Sequence, residues 1–387
     1  MKDSRYSKIL QSLHESSQLR FLREMSQKHG SRLEFEGKKY INLSSNDYLG
    51  LAFDSSLLTE FYKSLSKETV VNSYGLGASS SRLHTGNSPL YTQVEKKLAS
   101  LYSKEAALIF NSGYHANIGI LPALSSKKDL ILSDKLNHAS LIDGFKLGDA
   151  TLVRYRHFDY EQLEEILTLR CQEFDHVFIV TESIFSMDGD IANLKRLVEI
   201  KNKFNAFLYV DEAHAFGCRG EHGLGICEEQ GVTSEVDFIV GTFGKAIGSQ
   251  GAYIVCSQIT RDYLINTMRS LIFTTGLPPV TLSWLLFILE RLGEFKEKRA
   301  HLLSLSKLIR GYLQSNGKTT VSESHIIPII LGENKEALLA AQKWQENGFL
   351  VFPIRPPTVP MGTARLRLSL TADMDESVLK PLQSLIP

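Results

Sequence analysis

The feature that most constrains this 387-residue chain is a regular alternation. From about residue 50 to residue 275, short apolar β-rich runs change places with segments of helical periodicity. The runs fall at 107–110, 130–133, 152–155, 177–181, 207–210, 238–241 and 252–256, with helical patterns such as 90–102 and 160–174 between them. Runs this apolar do not read as strands with one wet face. They predict a mainly parallel sheet covered by helices, an α/β architecture. In such sheets ligands collect at the carboxyl ends of the strands. The expected division is an N-terminal helix and short strands (1–48), a large α/β domain (49–283) and a smaller α+β C-terminal domain (284–387). Residues 5–28 read as a polar-faced helix, and 280–316 as a long helical stretch leading to strands at 325–331 and 365–370.

Charge narrows the partners. Lys plus Arg and Asp plus Glu each number 43, so there is no surplus of base to neutralise nucleic-acid phosphates. The four cysteines, Cys171, Cys218, Cys227 and Cys256, form no C-x-x-C pair, and sparse thiols point to a reducing compartment. The N-terminal segment carries Asp3, Glu15 and Glu24 and no apolar core of signal-peptide length. The strongest apolar run, 284–289, is far short of the ~20 residues of a membrane span. The expected location is cytoplasmic, away from membranes.

Three motifs invite other chemistries. Asp211-Glu212-Ala213-His214 closes one of the strands and spells a helicase-type ATPase motif, which also requires a phosphate loop G-x-x-x-x-G-K-[ST]. The nearest match ends in Gly244-Lys245-Ala246, with Ile239 at the first glycine and Ala246 in place of the Mg²⁺-binding hydroxyl. His214, Cys218 and His222 recur every four residues, as zinc ligands on a helix could. Gly217, Gly220, Gly223 and Gly225 argue for a loop there, each costing about 1 kcal/mol against Ala in a helix. Gly75 and Gly77 begin a damaged G-x-G-x-x-G that lies outside any strand-to-helix unit. A turn-rich loop is the better reading, and no metal is expected.

Asp211 and Lys245 are more informative. Asp211 ends one strand, and Lys245 follows the next across a Thr-Phe-Gly turn. A carboxylate at a sheet edge pairs with a protonated heteroaromatic nitrogen, and a desolvated lysine serves as Schiff-base nucleophile and then as base. Pyridoxal phosphate enzymes divide their labour in this way, although surface ion pairs are the commoner fate of such residues. Ser112-Gly113-Tyr114 follows a strand and opens a helical segment, where free N–H groups suit a phosphate. Thr242 could add a hydroxyl, and His138 follows another strand, where its imidazole could stack on a planar ring.

Taken in order, NLSSNDYLGL, FNSGYHAN, DKLNHASLIDG, TESIFSMDGD, VDEAHAFG and GTFGKAIGSQGA resemble the α-oxoamine synthases, from about Arg20 to Thr371. The resemblance implies the aspartate-aminotransferase-like fold (fold type I), pyridoxal 5'-phosphate, and decarboxylative condensation of an amino acid with an acyl thioester. The tail from Ile354 to Thr371 looks most like the members that use L-alanine and a pimeloyl thioester. Members using glycine or serine with other acyl groups are the alternative.

By the same resemblance Lys245 would carry the cofactor as an imine, and Asp211 would hold the ring nitrogen protonated. His214, with Ser186 or a neighbour, would bond the ring's phenolic oxygen, while His138 would stack on the ring. Ser112, Gly113, Tyr114 and Thr242 would surround the phosphate. Thr275 would reach the phosphate of a second subunit, implying a homodimer with its active site at the interface. Asn46 and Glu182 would line the site, and Thr358 would lie near the substrate. Arg367 would take the amino-acid carboxylate, and Arg20 and Arg355 the distal carboxylate of pimelate. The thiol carrier would be coenzyme A or an acyl carrier protein. Two departures stand out: Ala78 and Ser80, where the family often has glycine, would narrow the acyl channel, and His115 replaces a small residue.

Overall fold

The computed structural model describes residues 3–386 and divides into two compact units. One comprises Ser55–Ser186 and Ile191–Arg299; the other gathers the residues up to Asp54, Met187–Asp190, and those from Ala300 on.

The first unit is built on a seven-stranded sheet. Its spatial order is Ala106–Phe110, Ala252–Cys256, Phe238–Thr242, Phe207–Asp211, Val177–Glu182, Leu130–Asp134 and Thr151–Tyr155. All neighbouring pairs are parallel except the two made by Ala252–Cys256. Every residue of five strands is buried, and so is all but the first residue of Phe207–Asp211. The sheet is therefore covered on both faces, as its unbroken apolar runs require.

Alternation along these strands places the site. Phe178, Val180, Phe207, Tyr209, Phe238 and Val240 share one sheet face and pack with Ala116, Leu141 and Phe145 from the covering helices. Each such large side chain contributes roughly 1.5–3 kcal/mol on full burial, which pins the pleat. With the pleat fixed, the next residues on that face are Glu182, Asp211 and Thr242, the last of their strands. Glu182 pairs in register with Asp211, and Asp211 with Val240. Three polar side chains thus emerge at one carboxyl edge, where the apolar cover ends.

The second unit holds two small sheets. Ser26–His29, Arg32–Phe35 and Lys38–Asn42 form an antiparallel meander, joined in parallel by Phe349–Leu350. Ile326–Gly332, Ala364–Ser369 and Pro353–Ile354 form an antiparallel sheet. Helix Asn334–Glu346 buries Trp344, whose indole N–H donates to the carbonyl of Leu385 at 3.1 Å.

The helix expected over 5–28 is shorter, Ser4–Glu15, and a strand occupies Ser26–His29. A Schellman motif stops it. Ser17 takes φ +54°, its N–H bonds the carbonyl of His14, and the Gln18 N–H bonds that of Leu13. Glycine usually fills that position, so the sequence carried no stop signal. The stretch expected over 280–316 is three pieces: Pro279–Glu290, a 3₁₀ turn Leu292–Phe295, and Lys296–Ser315. Among the described residues no helix is long and apolar enough to cross a membrane.

Candidate active site

A cavity of about 200 Å³ opens at the carboxyl edge of the seven-stranded sheet. It is lined by eight residues expected from the sequence: Gly113, Tyr114, His138, Glu182, Asp211, His214, Thr242 and Lys245. Asn117, Ser140 and Ala213 complete it.

Asp211 is 5% exposed, and both its oxygens are engaged. The Asn117 amide donates to Oδ2 at 2.8 Å, and the Ala213 N–H donates to Oδ1 at 2.9 Å. Each carboxylate oxygen has room for a further donor. Lys245, half-buried on the turn after Thr242, places Nζ 2.7 Å from Nε2 of His214. His138 lines the cavity with one side exposed, while burial by the surrounding walls pushes its pKa below the ordinary histidine value. Asp211 pulls the other way and Lys245 reinforces the decrease. The ring is therefore neutral near pH 7.

Glu182 lies 3% exposed beside Asp211, and its Oε1 has no hydrogen-bond partner within the described residues. Burial first, then the Asp211 charge, raise its pKa well above the ordinary 4.5, with Lys245 and the His138 N–H opposing. A raised carboxyl contributes stability that is complete below about pH 4.5 and is lost as pH rises toward the folded value. Replacing Glu182 by Gln removes that loss. The expected result is a melting temperature that gains on wild type steadily from pH 5 to pH 9, read by thermal scans. A constant difference across that range would contradict a buried, protonated Glu182.

The end of the cavity at Gly113 and Thr242 is a cradle. A Cβ added at Gly113 would stand 3.7 Å from Cβ of Thr242, filling the space between the helix Gly113–Asn117 and that threonine. Thr242 Oγ1 donates to the Gly251 carbonyl at 3.0 Å and accepts from the Gly244 N–H at 3.2 Å. Tyr114 is half exposed, and its hydroxyl donates to Asp143 at 3.1 Å. A carboxylate for a ring nitrogen, an imidazole, an amine, an orphaned carboxyl oxygen and a glycine cradle together match the functional groups of pyridoxal phosphate.

Other expected residues lie elsewhere. Ser112 caps the short helix: its Oγ accepts from the His115 N–H at 3.2 Å and meets His115 Nδ1 at 2.8 Å. That contact gives His115 a structural partner. Ser186 is buried beyond its strand and does not line the cavity. Thr275 is exposed, bridges to Ser81, and accepts from the Asn111 amide through its carbonyl at 2.7 Å. Within the second unit, Tyr48 links two expected residues. Its hydroxyl donates to Asn46 Oδ1 at 3.1 Å and accepts from Arg367 at 3.4 Å. Arg20 donates to Thr358 Oγ1 at 2.9 Å, and Arg355 to the carbonyl of Ser17. Arg20, Arg355 and Thr358, with Arg23, line a second cavity of about 260 Å³.

The competing motifs resolve physically. In Asp211-Glu212-Ala213-His214, the first and last residues line the cavity, but Glu212 is wholly buried. It accepts from Ser183 Oγ and from the N–H groups of Ile226 (3.1 Å) and Cys227 (2.6 Å). It thereby ties down the glycine-rich loop. At Gly225, with φ +105°, a Cβ would meet the Glu212 carboxylate at 2.6 Å.

A profile of the family described as aminotransferase class I and II matches residues 38–386. The chain is 49% identical over 372 residues to an 8-amino-7-oxononanoate synthase of Chlorobaculum parvum, spanning 96% of this chain and 95% of that one. A solved 8-amino-7-oxononanoate synthase from Francisella tularensis is 31% identical, with a TM-score of 0.75 over 90% of this chain and 96% of that one. A serine palmitoyltransferase variant from S. paucimobilis, solved with a bound PLP–myriocin aldimine, is 30% identical. Its TM-score is 0.90 over 100% of this chain and 96% of that one.

Proposed function

Because the chain belongs to the class I and II aminotransferase family, and within it to the α-oxoamine synthases, we propose that this pyridoxal phosphate-dependent acyltransferase makes 8-amino-7-oxononanoate for biotin biosynthesis. Its substrates in this reading are L-alanine and a pimeloyl thioester of coenzyme A or an acyl carrier protein, and its other products are carbon dioxide and free thiol. The observation that carries the reading is the convergence of Lys245, Asp211 and His138 on one cavity, in a chain half identical to a synthase of that name.

When bound, pyridoxal phosphate supplies an electron sink for charge developing at the amino acid's α-carbon. Asp211 would support that sink by holding a proton on the ring nitrogen, its carboxylate held in place by the donors Asn117 and Ala213. Lys245 takes the proton from the α-carbon and later returns one there, with His214 beside it as a basic neighbour. Neutral His138 would pack against the ring face without adding a second positive charge. The Gly113 cradle would hold the phosphate through backbone N–H groups. Arg367 presents a guanidinium fork to the alanine carboxylate, and Arg20 and Arg355 take the distal carboxylate of the acyl chain. The working form is a homodimer to which Thr275 contributes across the interface.

The high TM-score with a serine palmitoyltransferase favours one second reading, serine with a long acyl chain. A thiol-release assay on the purified holoenzyme separates them. With pimeloyl-CoA, L-alanine is expected to outpace glycine by about 10-fold or more, the usual worth of one methyl group in a fitted pocket. Serine outpacing alanine would move the reading to the second class. No thiol release with any amino acid, from pimeloyl-CoA, a pimeloyl-acyl carrier protein or a long-chain acyl-CoA, would end both.

A further inference from the structure

Two cavity-wall residues outside the expected site, Asn117 and Ser140, form a continuous hydrogen-bonded chain with the buried Tyr209 behind them. Asn117, Tyr209 and Ser140 are 3%, 0% and 2% exposed. Tyr209 Oη donates to Asn117 Oδ1 at 2.6 Å. Burial, with the Asp211 charge nearby, raises the Tyr209 pKa well above its ordinary value, so the phenol keeps its proton and acts as donor. That fixes which end of the Asn117 amide is oxygen. The NH₂ group then has two protons and two acceptors: Asp211 Oδ2 at 2.8 Å and Ser140 Oγ at 3.0 Å. Its donor capacity is fully used.

The second branch continues to the imidazole. Ser140 Oγ accepts from Asn117, which leaves its own proton for His138 Nδ1 at 2.8 Å. The Ser140 backbone N–H also points at Nδ1, at 3.2 Å, and an N–H can only donate. Nδ1 is therefore an acceptor, and the proton of the neutral ring sits on Nε2. One amide thus connects the carboxylate meant for the ring nitrogen with the imidazole meant for the ring face.

We propose that Asn117, held in one orientation by Tyr209 and Asp211, is a positioning residue that sets the direction of the Asp211 carboxylate and, by turning the Ser140 hydroxyl proton toward Nδ1, reinforces the His138 tautomer that the Ser140 N–H favours. The inference rests on the reading of Asp211 and His138 as cofactor contacts, but its hydrogen-bond logic is a property of the chain alone. The pair works as a lock: the phenol and the Asp211 carboxylate fix the amide, and the amide steadies the two groups that would flank the ring.

The test uses full-length protein labelled at histidine nitrogens, with His138 assigned through the His138→Gln variant. In wild type the ring is expected to be the Nε2–H tautomer. In Tyr209→Phe, which removes one oxygen and keeps the packing, the amide loses the donor to its oxygen and is held less firmly, and a minor Nδ1–H population becomes detectable. Asn117→Ala should show more of it. In the loaded enzyme, Asn117→Ala is expected to lower kcat by about 10- to 100-fold, and Tyr209→Phe by about 3- to 10-fold. In both, KM for the amino acid should change less than kcat. The midpoint of the cofactor's absorbance change with pH should move in the same order.

An Nδ1–H tautomer in wild type would overturn the proposal while leaving the functional reading untouched. So would an unchanged tautomer and pH midpoint in Tyr209→Phe, whether or not Asn117→Ala folds. Failure of the wild-type protein to bind pyridoxal phosphate would instead defeat the functional reading, with the tautomer result still standing.

Discussion

Lys245→Ala is expected to abolish turnover while leaving the protein folded and able to take up pyridoxal phosphate without a covalent link. The side chain stands half-buried at the cavity wall, with Nζ 2.7 Å from Nε2 of His214. It lies outside the apolar core, so the fold should survive its removal. Removal costs the chemistry two roles, covalent capture of the cofactor and proton transfer at the α-carbon. The loss of a general base alone is worth about 10²–10⁴ in rate, and the loss of capture adds to it. Borohydride reduction followed by peptide mass analysis measures the first role, expected to mark Lys245 in wild type and nothing in the variant. Single-turnover thiol release measures the second. A rate within tenfold of wild type would remove Lys245 from the mechanism.

The second large effect is expected from Asp211→Asn. The change keeps the shape and removes the charge, and the local hydrogen bonds turn it into a conflict. Oδ2 accepts from an amide and Oδ1 from a backbone N–H. Asparagine must present an NH₂ to one of these donors, whichever way it turns. The ring nitrogen loses its counter-charge in the same step. Breaking a buried charge pair costs about 3–5 kcal/mol, so kcat should fall by roughly 10²- to 10⁴-fold. Cofactor retention should weaken as well, measured by gel filtration and absorbance. Loss of the Asp211 charge also removes one cause of the raised pKa of Glu182, so the pH dependence of stability should flatten. A kcat within threefold of wild type would mean that Asp211 does not face the ring nitrogen.

The strands of the large sheet were legible to within a residue, because strands buried on both faces announce themselves as unbroken apolar runs bounded by turns. The site residues at their ends were legible for the same reason. Asp211, Thr242 and Lys245 follow an apolar run, and the carboxyl edge is where function is sought. Asn117, Ser140 and Tyr209 were not legible. Tyr209 sits mid-strand, and Asn117 and Ser140 in helices beside the sheet. Their meeting depends on register and helix packing, which no local spacing encodes. The end of the first helix failed differently: Ser17 does the work usually given to glycine. The arginines Arg20, Arg355 and Arg367 came from family resemblance alone, since an isolated arginine carries no pattern of its own.

The scattered membership of the second unit has a consequence for the order in which the protein can be made. Strand Lys38–Asn42 pairs with Phe349–Leu350, and the Ser369 N–H bonds the carbonyl of Leu43. On a ribosome the partners of these early residues emerge about 300 residues later. At about 5–20 residues per second that is a wait of roughly 15–60 s. The sheet unit, continuous apart from four residues, completes its chain in the interval. Leu33, Tyr40, Ile41 and Leu43, all buried at the end, spend that time without their cover. The part of the chain synthesised first is thus among the last to be secured.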